Sequence, residues 1–111
     1  MEYRKELLKG STDTLLLSLL KDQPMYGYQI IKEMEERSHG YFRFREGTLY
    51  PALHRLEASG LVKGSWRKLP FGKERRYYQL TEKGLDLLEQ KVAEWQGFSS
   101  AVNLIMQPAV N

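Results

Sequence analysis

The sequence predicts a mainly α-helical fold with one small β-hairpin, and three patterns lead to this fold class. Apolar residues recur at helical spacing in three successive segments before residue 60. A basic segment with Pro70 and Gly72 at its centre then has the pattern of two strands joined by a turn. An amphipathic segment from Thr81 to Met106 follows as a last, long helix. This order is that of a winged helix-turn-helix domain, here residues 1–80, followed by a C-terminal helix in residues 81–111.

The composition fits a folded domain and provides few residues for metal binding and none for disulfides. Hydrophobic residues make up 41% of the 111 residues, enough to build a core. There is no cysteine, which excludes disulfides and cysteine-ligated zinc, and the two histidines are His39 and His54. No apolar run reaches about 18 residues, and the N-terminal residues lack the apolar stretch of a signal peptide. We therefore expect a cytoplasmic protein with no membrane partner and no cofactor.

The first two predicted helices supply much of the expected core. Leucines fill more than one face of the segment from Lys5 to Lys21, and capping-type residues near Ser11 suit a break or a second start. A helix with so much apolar surface needs packing partners on two sides. The second helix begins near Gly27 and runs to about Ser38, where Gly40 suits a left-handed C-cap.

The third predicted helix has one apolar side and one polar side. It is expected to start near Gly47 or Thr48 and to end at Ser59-Gly60, because Pro51 lacks an N–H and must lie in about the first turn. Its leucines recur at i, i+4 and i+7 and form one buried stripe. The opposite side carries groups that can contact base edges and phosphates, namely Thr48, Tyr50, Pro51, His54 and Arg55.

A basic hairpin follows this helix. The predicted strands are residues 61–68 and 75–80, and since an isolated hairpin is marginally stable, Val62, Trp66, Tyr78 or Leu80 must pack against the helices. Residues 43–76 contain nine Lys/Arg and three Glu, so this segment carries +6 while the rest of the chain carries −3. Such a block predicts a polyanionic partner, although the same charges could simply keep the hairpin soluble. The hairpin cations expected to contact DNA are Arg67, Lys68, Lys73, Arg75 and Arg76.

The last helix predicts dimerisation. Thr81 suits its N-cap, and apolar residues then alternate at spacings of three and four over about three heptads, with Ser99 as the polar exception. A helix of about 25 residues at the end of a small domain extends beyond what its own chain can cover, so a second copy is the simplest partner. The residues predicted at this dimer interface are Leu85, Leu88, Val92, Trp95, Val102 and Met106.

The motifs favour DNA binding over catalysis. There is no glycine-rich phosphate loop, no His-Glu-x-x-His and no Gly-x-Ser-x-Gly, and the pair Glu35-Glu36 lies on a charged helical face typical of solvated surface. In a helix-turn-helix the second helix of the pair enters the major groove, and the hairpin, or wing, reaches the adjacent backbone. The alternative is a winged-helix adaptor that binds an acidic protein and has no sequence preference for DNA.

Four stretches in the expected order resemble the PadR-type transcriptional regulators. They are Tyr26–Ile30, Glu46–Glu57, Gly60–Val62 and Glu74–Gly84. The single helix after the wing is similar to the shorter subfamily. The resemblance implies a homodimeric repressor that binds a palindromic operator, with half-sites about 10 bp apart, and releases it when an effector binds.

The resemblance also implies a site for a planar aromatic, often cationic, small molecule. In multidrug-responsive members a central Trp of the last helix pairs with its symmetry mate around the ligand, and Trp95 matches that position. Ser99 stands where a carboxylate would be expected, so Asp13 or Glu94 would have to replace it, although Asp13 equally suits a helix cap. Trp95 could also be a plain dimer-core residue. The effector positions implied are Leu7, Gly10, Asp13, Thr14, Val92, Trp95 and Ser99.

Overall fold

The computed structural model describes residues 11–107 and places a small antiparallel sheet among four α-helices. The mainly α-helical winged-helix prediction is confirmed, and the strand and last-helix boundaries agree with it to within one residue. In chain order the elements are α1 (Thr12–Leu20), β1 (Met25–Tyr26), α2 (Gly27–Arg37), α3 (Glu46–Ala58), β2 (Val62–Lys68), β3 (Glu74–Leu80) and α4 (Glu82–Met106).

The sheet has one strand more than the predicted hairpin. Strand β1 pairs antiparallel with β3, with Met25 opposite Tyr78 and Tyr26 opposite Tyr77, so the strand order is β1-β3-β2. Two residues are too short to show the alternation that marks a strand in a sequence. The extra strand matters because it joins the start of α2 directly to the wing.

The core lies between the helices and the base of the wing. Val62 and Tyr78 are each 2% exposed and anchor the hairpin, whereas Trp66 is 61% exposed and does not pack back against the core. The largest fully buried side chains come from α1, β1, α2, α3 and β2: Leu16, Leu17, Leu20, Met25, Ile30, Leu49, Leu53, Leu56 and Val62.

Helix α3 starts earlier than predicted. Its first residue is Glu46, so Pro51 lies in the second turn and not in the first. Pro51 cannot donate to the carbonyl of Gly47, four residues before it. Gly47 is exposed, so water can bond to that carbonyl, and the helix continues without a break. The predicted end is confirmed, because Ser59 is the C-cap and Gly60 has a φ of 76°.

Helices α1 and α4 each begin where the sequence predicted a helix start. Ser11 occupies the N-cap position of α1, although its side chain makes no capping hydrogen bond, and the part of the predicted first helix before it lies outside the described residues. At α4, the Thr81 hydroxyl accepts a hydrogen bond from the Gly84 N–H at 3.0 Å and donates one to the Gly60 carbonyl at 2.7 Å. Thr81 therefore caps α4 and ties it to the end of α3.

The two halves of α4 have different surroundings. Leu88, predicted at the dimer interface, is 2% exposed and packs into the core of its own chain. Near it, a Cβ atom on Gly84 would collide with the carbonyl oxygen of Leu61, so α4 closely approaches the residue that precedes β2. The second half extends away from the domain, with Phe98 63% and Ile105 85% exposed.

Candidate nucleic-acid interface

Helix α3 presents its predicted polar side to solvent. Leu49, Leu53 and Leu56 are at most 1% exposed and fix the opposite side against the core. The exposed residues of this helix include all five that the sequence assigned to DNA contact, namely Thr48, Tyr50, Pro51, His54 and Arg55. The geometry is what a major-groove helix requires, and the individual contacts stay predictions.

Tyr50 is held at one edge of α3. Its hydroxyl lies so close to Gly27 that a Cβ atom there would displace the Tyr50 ring from this position. Burial raises the pKa of Tyr50 above the ordinary value of a phenol, and the negative charge of Glu46 and the neighbouring Tyr78 add to the increase. The hydroxyl is thus a neutral hydrogen-bond donor at physiological pH.

One face of the wing orders two of its cations on aromatic rings. The Arg75 guanidinium lies 4.0 Å from the centre of the Tyr26 ring, and that of Arg67 lies 4.4 Å from the centre of the Tyr77 ring. The two tyrosine rings meet edge to face at 5.4 Å. Each cation–π contact contributes about 0.5–1 kcal/mol at an exposed site, so the two guanidinium groups are held in place before any ligand arrives.

The other face of the wing is bonded to α3. The Glu57 carboxylate accepts hydrogen bonds from the Arg76 guanidinium at 2.7 Å and from the Gly64 N–H at 3.1 Å. Arg76, which the sequence assigned to DNA contact, is therefore bonded to α3, and its contact with DNA stays a prediction. Lys68 and Lys73 are exposed near the wing tip.

Arg55 also has a partner that the sequence analysis did not anticipate. It forms an ion pair with Asp13 of α1. The sequence assigned Arg55 to the DNA contact and Asp13 to the effector site, so the structure joins residues from the two predicted sites. Asp13 is not the cap of α1, a position that Ser11 occupies.

An open cleft of about 780 Å³ lies between the start of α2, helix α3 and the wing. Aromatic and basic side chains line it, among them Tyr50, His54 and Arg75. Two further lining residues were missed as contact candidates: Tyr28, 66% exposed, and Trp66, 61% exposed. In the sequence, Tyr28 is an aromatic residue next to a helix start, and Trp66 is an aromatic residue within a cationic strand. Both patterns are equally typical of a core residue, so they did not indicate a binding role.

The predicted effector residues fall partly inside and partly outside the described residues. Leu7 and Gly10 lie outside the described residues. Asp13 and Thr14 are half-buried on α1, and Val92 and Ser99 are half-buried on α4, which packs against α1. Trp95 is 57% exposed, and its ring centre lies 6.1 Å from that of Phe98. The prediction of a ligand site here remains open.

Residues 11–107 contain no group of three or more His, Cys, Asp or Glu side chains that could hold a metal ion. None of the helices in these residues is long and apolar enough to cross a membrane.

Comparison with known proteins identifies the family. Residues 16–90 match the model of the transcriptional regulator PadR-like family. The chain belongs to the PadR family. PadR-family proteins are transcriptional regulators and not a family of enzymes, which agrees with a DNA-binding regulator of winged-helix fold.

The chain is similar to several known proteins over most of its length. It is 36% identical over 80 residues to the transcriptional regulator Rv3488 of Mycobacterium tuberculosis, covering 72% of this chain and 71% of the relative. A PadR-like transcriptional regulator from Bacillus cereus has a similar structure, with a TM-score of 0.83, 31% identity, and 94% and 99% of the two chains covered. A PadR family transcription regulator from Clostridium difficile gives a TM-score of 0.78 at 38% identity, covering 86% and 98%.

Proposed function

We propose that the protein is a homodimeric repressor that binds a palindromic operator and releases it when a planar aromatic molecule binds between the two copies. One observation supports the DNA-binding part of the proposal: the polar side of α3 and the cationic wing are both exposed and border the same cleft. Tyr50 and His54 from α3 line that cleft together with Arg75 from the wing.

The exposed half of α4 supports the dimer. Trp95, Phe98, Val102 and Ile105 recur at spacings of three and four, and Met106 follows Val102 by four, so all five lie within an arc of about 100° on one side of the helix. Four of these five side chains are more than half exposed in the single chain, Val102 being the exception. A contiguous apolar strip of this kind is typical of a protein–protein contact, and heptad spacing suits a second copy of the same helix. Leu85 and Val92 are half-buried at the inner end of the strip.

In such a dimer each α3 enters a major groove, and the wings contact the flanking backbone. The test is titration of labelled DNA from upstream of the protein's own gene, with a scrambled duplex as control. Neutralising six to ten phosphates should reduce affinity by about 10³–10⁵ between 50 and 200 mM salt. A flat salt response would contradict the DNA-binding proposal, and equal, weak affinity for both duplexes would favour the adaptor alternative.

The effector part of the proposal rests on Trp95 and on the carboxylates near it. Trp95 is exposed at the strip where two copies would meet, and Asp13 and Glu94 could balance a cationic ligand. Two Trp faces around a desolvated aromatic cation would each contribute about 2 kcal/mol or more. The chain contains two Trp residues, so the Trp66→Phe variant reports on Trp95 alone. A planar cationic dye should quench its fluorescence and lower operator affinity, and an unchanged dye affinity in Trp95→Ala would remove Trp95 from the site.

A further inference from the structure

One oxygen atom of Glu57 joins the recognition helix to both strands of the wing. This atom, Oε2, accepts from the Gly64 N–H on β2 at 3.1 Å and from Arg76 Nη2 on β3 at 2.7 Å. Both bonds are charge-assisted, and such bonds are roughly twice as strong as neutral ones. Glu57 is in the last turn of α3, one turn after Leu53, so the connection lies at the edge of the leucine stripe, where the helix meets the wing.

The guanidinium of Arg76 occupies a socket that the surrounding residues leave for it. Its Cζ atom lies 5.5 Å from the centre of the Trp66 ring and 5.7 Å from that of Tyr78. A Cβ atom on Gly64 would lie 2.6 Å from Arg76 Nη2 and 2.7 Å from Cζ, closer than real contacts allow. We call Glu57, Gly64, Trp66 and Tyr78 the Arg76 socket. The Arg76 side chain is only 31% exposed within it.

We propose that Glu57 and Gly64 are positioning residues for DNA recognition, which hold Arg76 and thereby fix the wing at one distance and angle from α3. The proposal rests on the proposed DNA-binding function. Helix and wing must contact the same DNA together, so a fixed geometry raises the effective concentration of the second contact once the first has formed. It also reduces the ordering cost at binding. Without the two bonds to Glu57, the wing is still held at its base, where Val62 and Tyr78 pack into the core, and through β1, but its link to the end of α3 is lost.

The direction in which Glu57→Gln changes DNA affinity separates this proposal from a simple charge effect. Glu57→Gln removes a negative charge close to the DNA-binding side, which by charge alone would strengthen binding to every DNA sequence. If Glu57 positions the wing, the same variant binds the operator more weakly, by about ten-fold, and loses discrimination against scrambled DNA. Gly64→Ala fills the socket and should act in the same direction.

Arg76→Lys supplies the second comparison, because it keeps the charge. If Arg76 contacts only phosphate, this variant binds nearly as well as the wild type. In the socket the planar guanidinium stacks on rings and donates to Glu57, and a lysine does not reproduce that geometry. We therefore expect Arg76→Lys to lose operator discrimination as Glu57→Gln does.

The control is Lys68→Ala, which removes an exposed wing cation outside the socket. It should weaken binding to operator and scrambled DNA alike and lower the salt slope by about one, whereas Glu57→Gln should leave the slope unchanged. Thermal unfolding measurements check that each variant is folded. If Gly64→Ala does not fold, Glu57→Gln and Arg76→Lys still test the positioning role. Unchanged or stronger operator binding by Glu57→Gln, with wild-type discrimination, would overturn the positioning role alone. A wild-type protein that shows no operator preference would remove the proposed function together with it.

Discussion

The Asp13 carboxylate on α1 forms an ion pair with the Arg55 guanidinium on α3, a residue 42 positions further along the chain. The two side chains are 43% and 57% exposed. Exposed pairs of this kind contribute about 0–1 kcal/mol, so a DNA phosphate can readily take the place of the carboxylate. The pair therefore connects the helix that packs against α4 with the helix proposed to enter the major groove, through a contact weak enough to be exchanged.

Asp13→Asn should strengthen DNA binding by about two- to five-fold, because Arg55 then contacts phosphate without first leaving a carboxylate. The salt slope should increase by about one, the signature of an additional phosphate contact. Fluorescence anisotropy at several salt concentrations measures both quantities. Asp22→Asn is the matched control, since Asp22, in the turn after α1, forms a similarly exposed ion pair with Arg37 of α2. An equal gain from Asp22→Asn would show a general charge effect and no release of Arg55.

Tyr26→Leu should weaken binding to operator and scrambled DNA by a few-fold each. The change removes the ring beneath Arg75, and this guanidinium then has to be ordered when DNA binds. Tyr26→Phe keeps the ring and should bind like the wild type. Affinities of the two variants for both duplexes decide the matter, and a Phe variant as weak as the Leu variant would assign the effect to the hydroxyl group.

Ile105→Asp should convert the dimer to a monomer, whereas Leu104→Asp should not. The two side chains are 85% and 76% exposed, so burial within the single chain does not distinguish them. They point about 100° apart around α4, and only Ile105 lies on the strip that contains Trp95. Sedimentation equilibrium of the two variants tests the proposed dimer surface. Dimers in both cases would place the contact elsewhere.

Leu88→Ala should lower the free energy of unfolding by about 2–5 kcal/mol, the usual cost of a large-to-small change in a core. This expectation follows from the 2% exposure of Leu88 within its own chain. Denaturant unfolding of the monomeric Ile105→Asp background isolates the effect from dimer dissociation. A loss that appears only in the dimer would return Leu88 to the subunit interface.

The Tyr50 phenol should ionise at a higher pH than an ordinary phenol, because burial and Glu46 raise its pKa. The unfolded chain loses this proton first as pH rises. The stabilising contribution of the neutral phenol is thus complete below the ordinary tyrosine pKa and is lost as pH increases through the raised value. Absorbance titration near 295 nm compares the wild type with Tyr50→Phe. The variant should lack the part of the wild-type absorbance increase that occurs at the highest pH. A missing early part would contradict the shift.

Local signals in the sequence predicted the elements well. The leucine stripe of α3, the Gly60 stop and the Thr81 cap each depend on residues within a few positions of one another, and all three are present. Strand β1 was not predicted, because its two residues form a strand only by pairing with β3, about fifty positions further along the chain.

Side-chain partners were harder to predict than elements. Glu57 and Arg76 are 19 residues apart, and Asp13 and Arg55 are 42 apart. Composition identified all four as charged but gave no reason to pair them, since pairing depends on how α1, α3 and the wing pack. Leu88 illustrates the same limit, because heptad spacing does not distinguish a leucine that faces its own core from one that faces a second copy.

The strand order β1-β3-β2 leaves β2 at the edge of the sheet. An edge strand exposes a row of backbone donors and acceptors to which another chain can add a strand, and charged side chains, lysine above all, are a common natural protection. Lys63, Arg67 and Lys68 all belong to this strand and are exposed. The positive charge proposed to attract DNA thus also protects the protein from edge-to-edge aggregation, and a variant stripped of these cations should lose solubility along with its affinity for DNA.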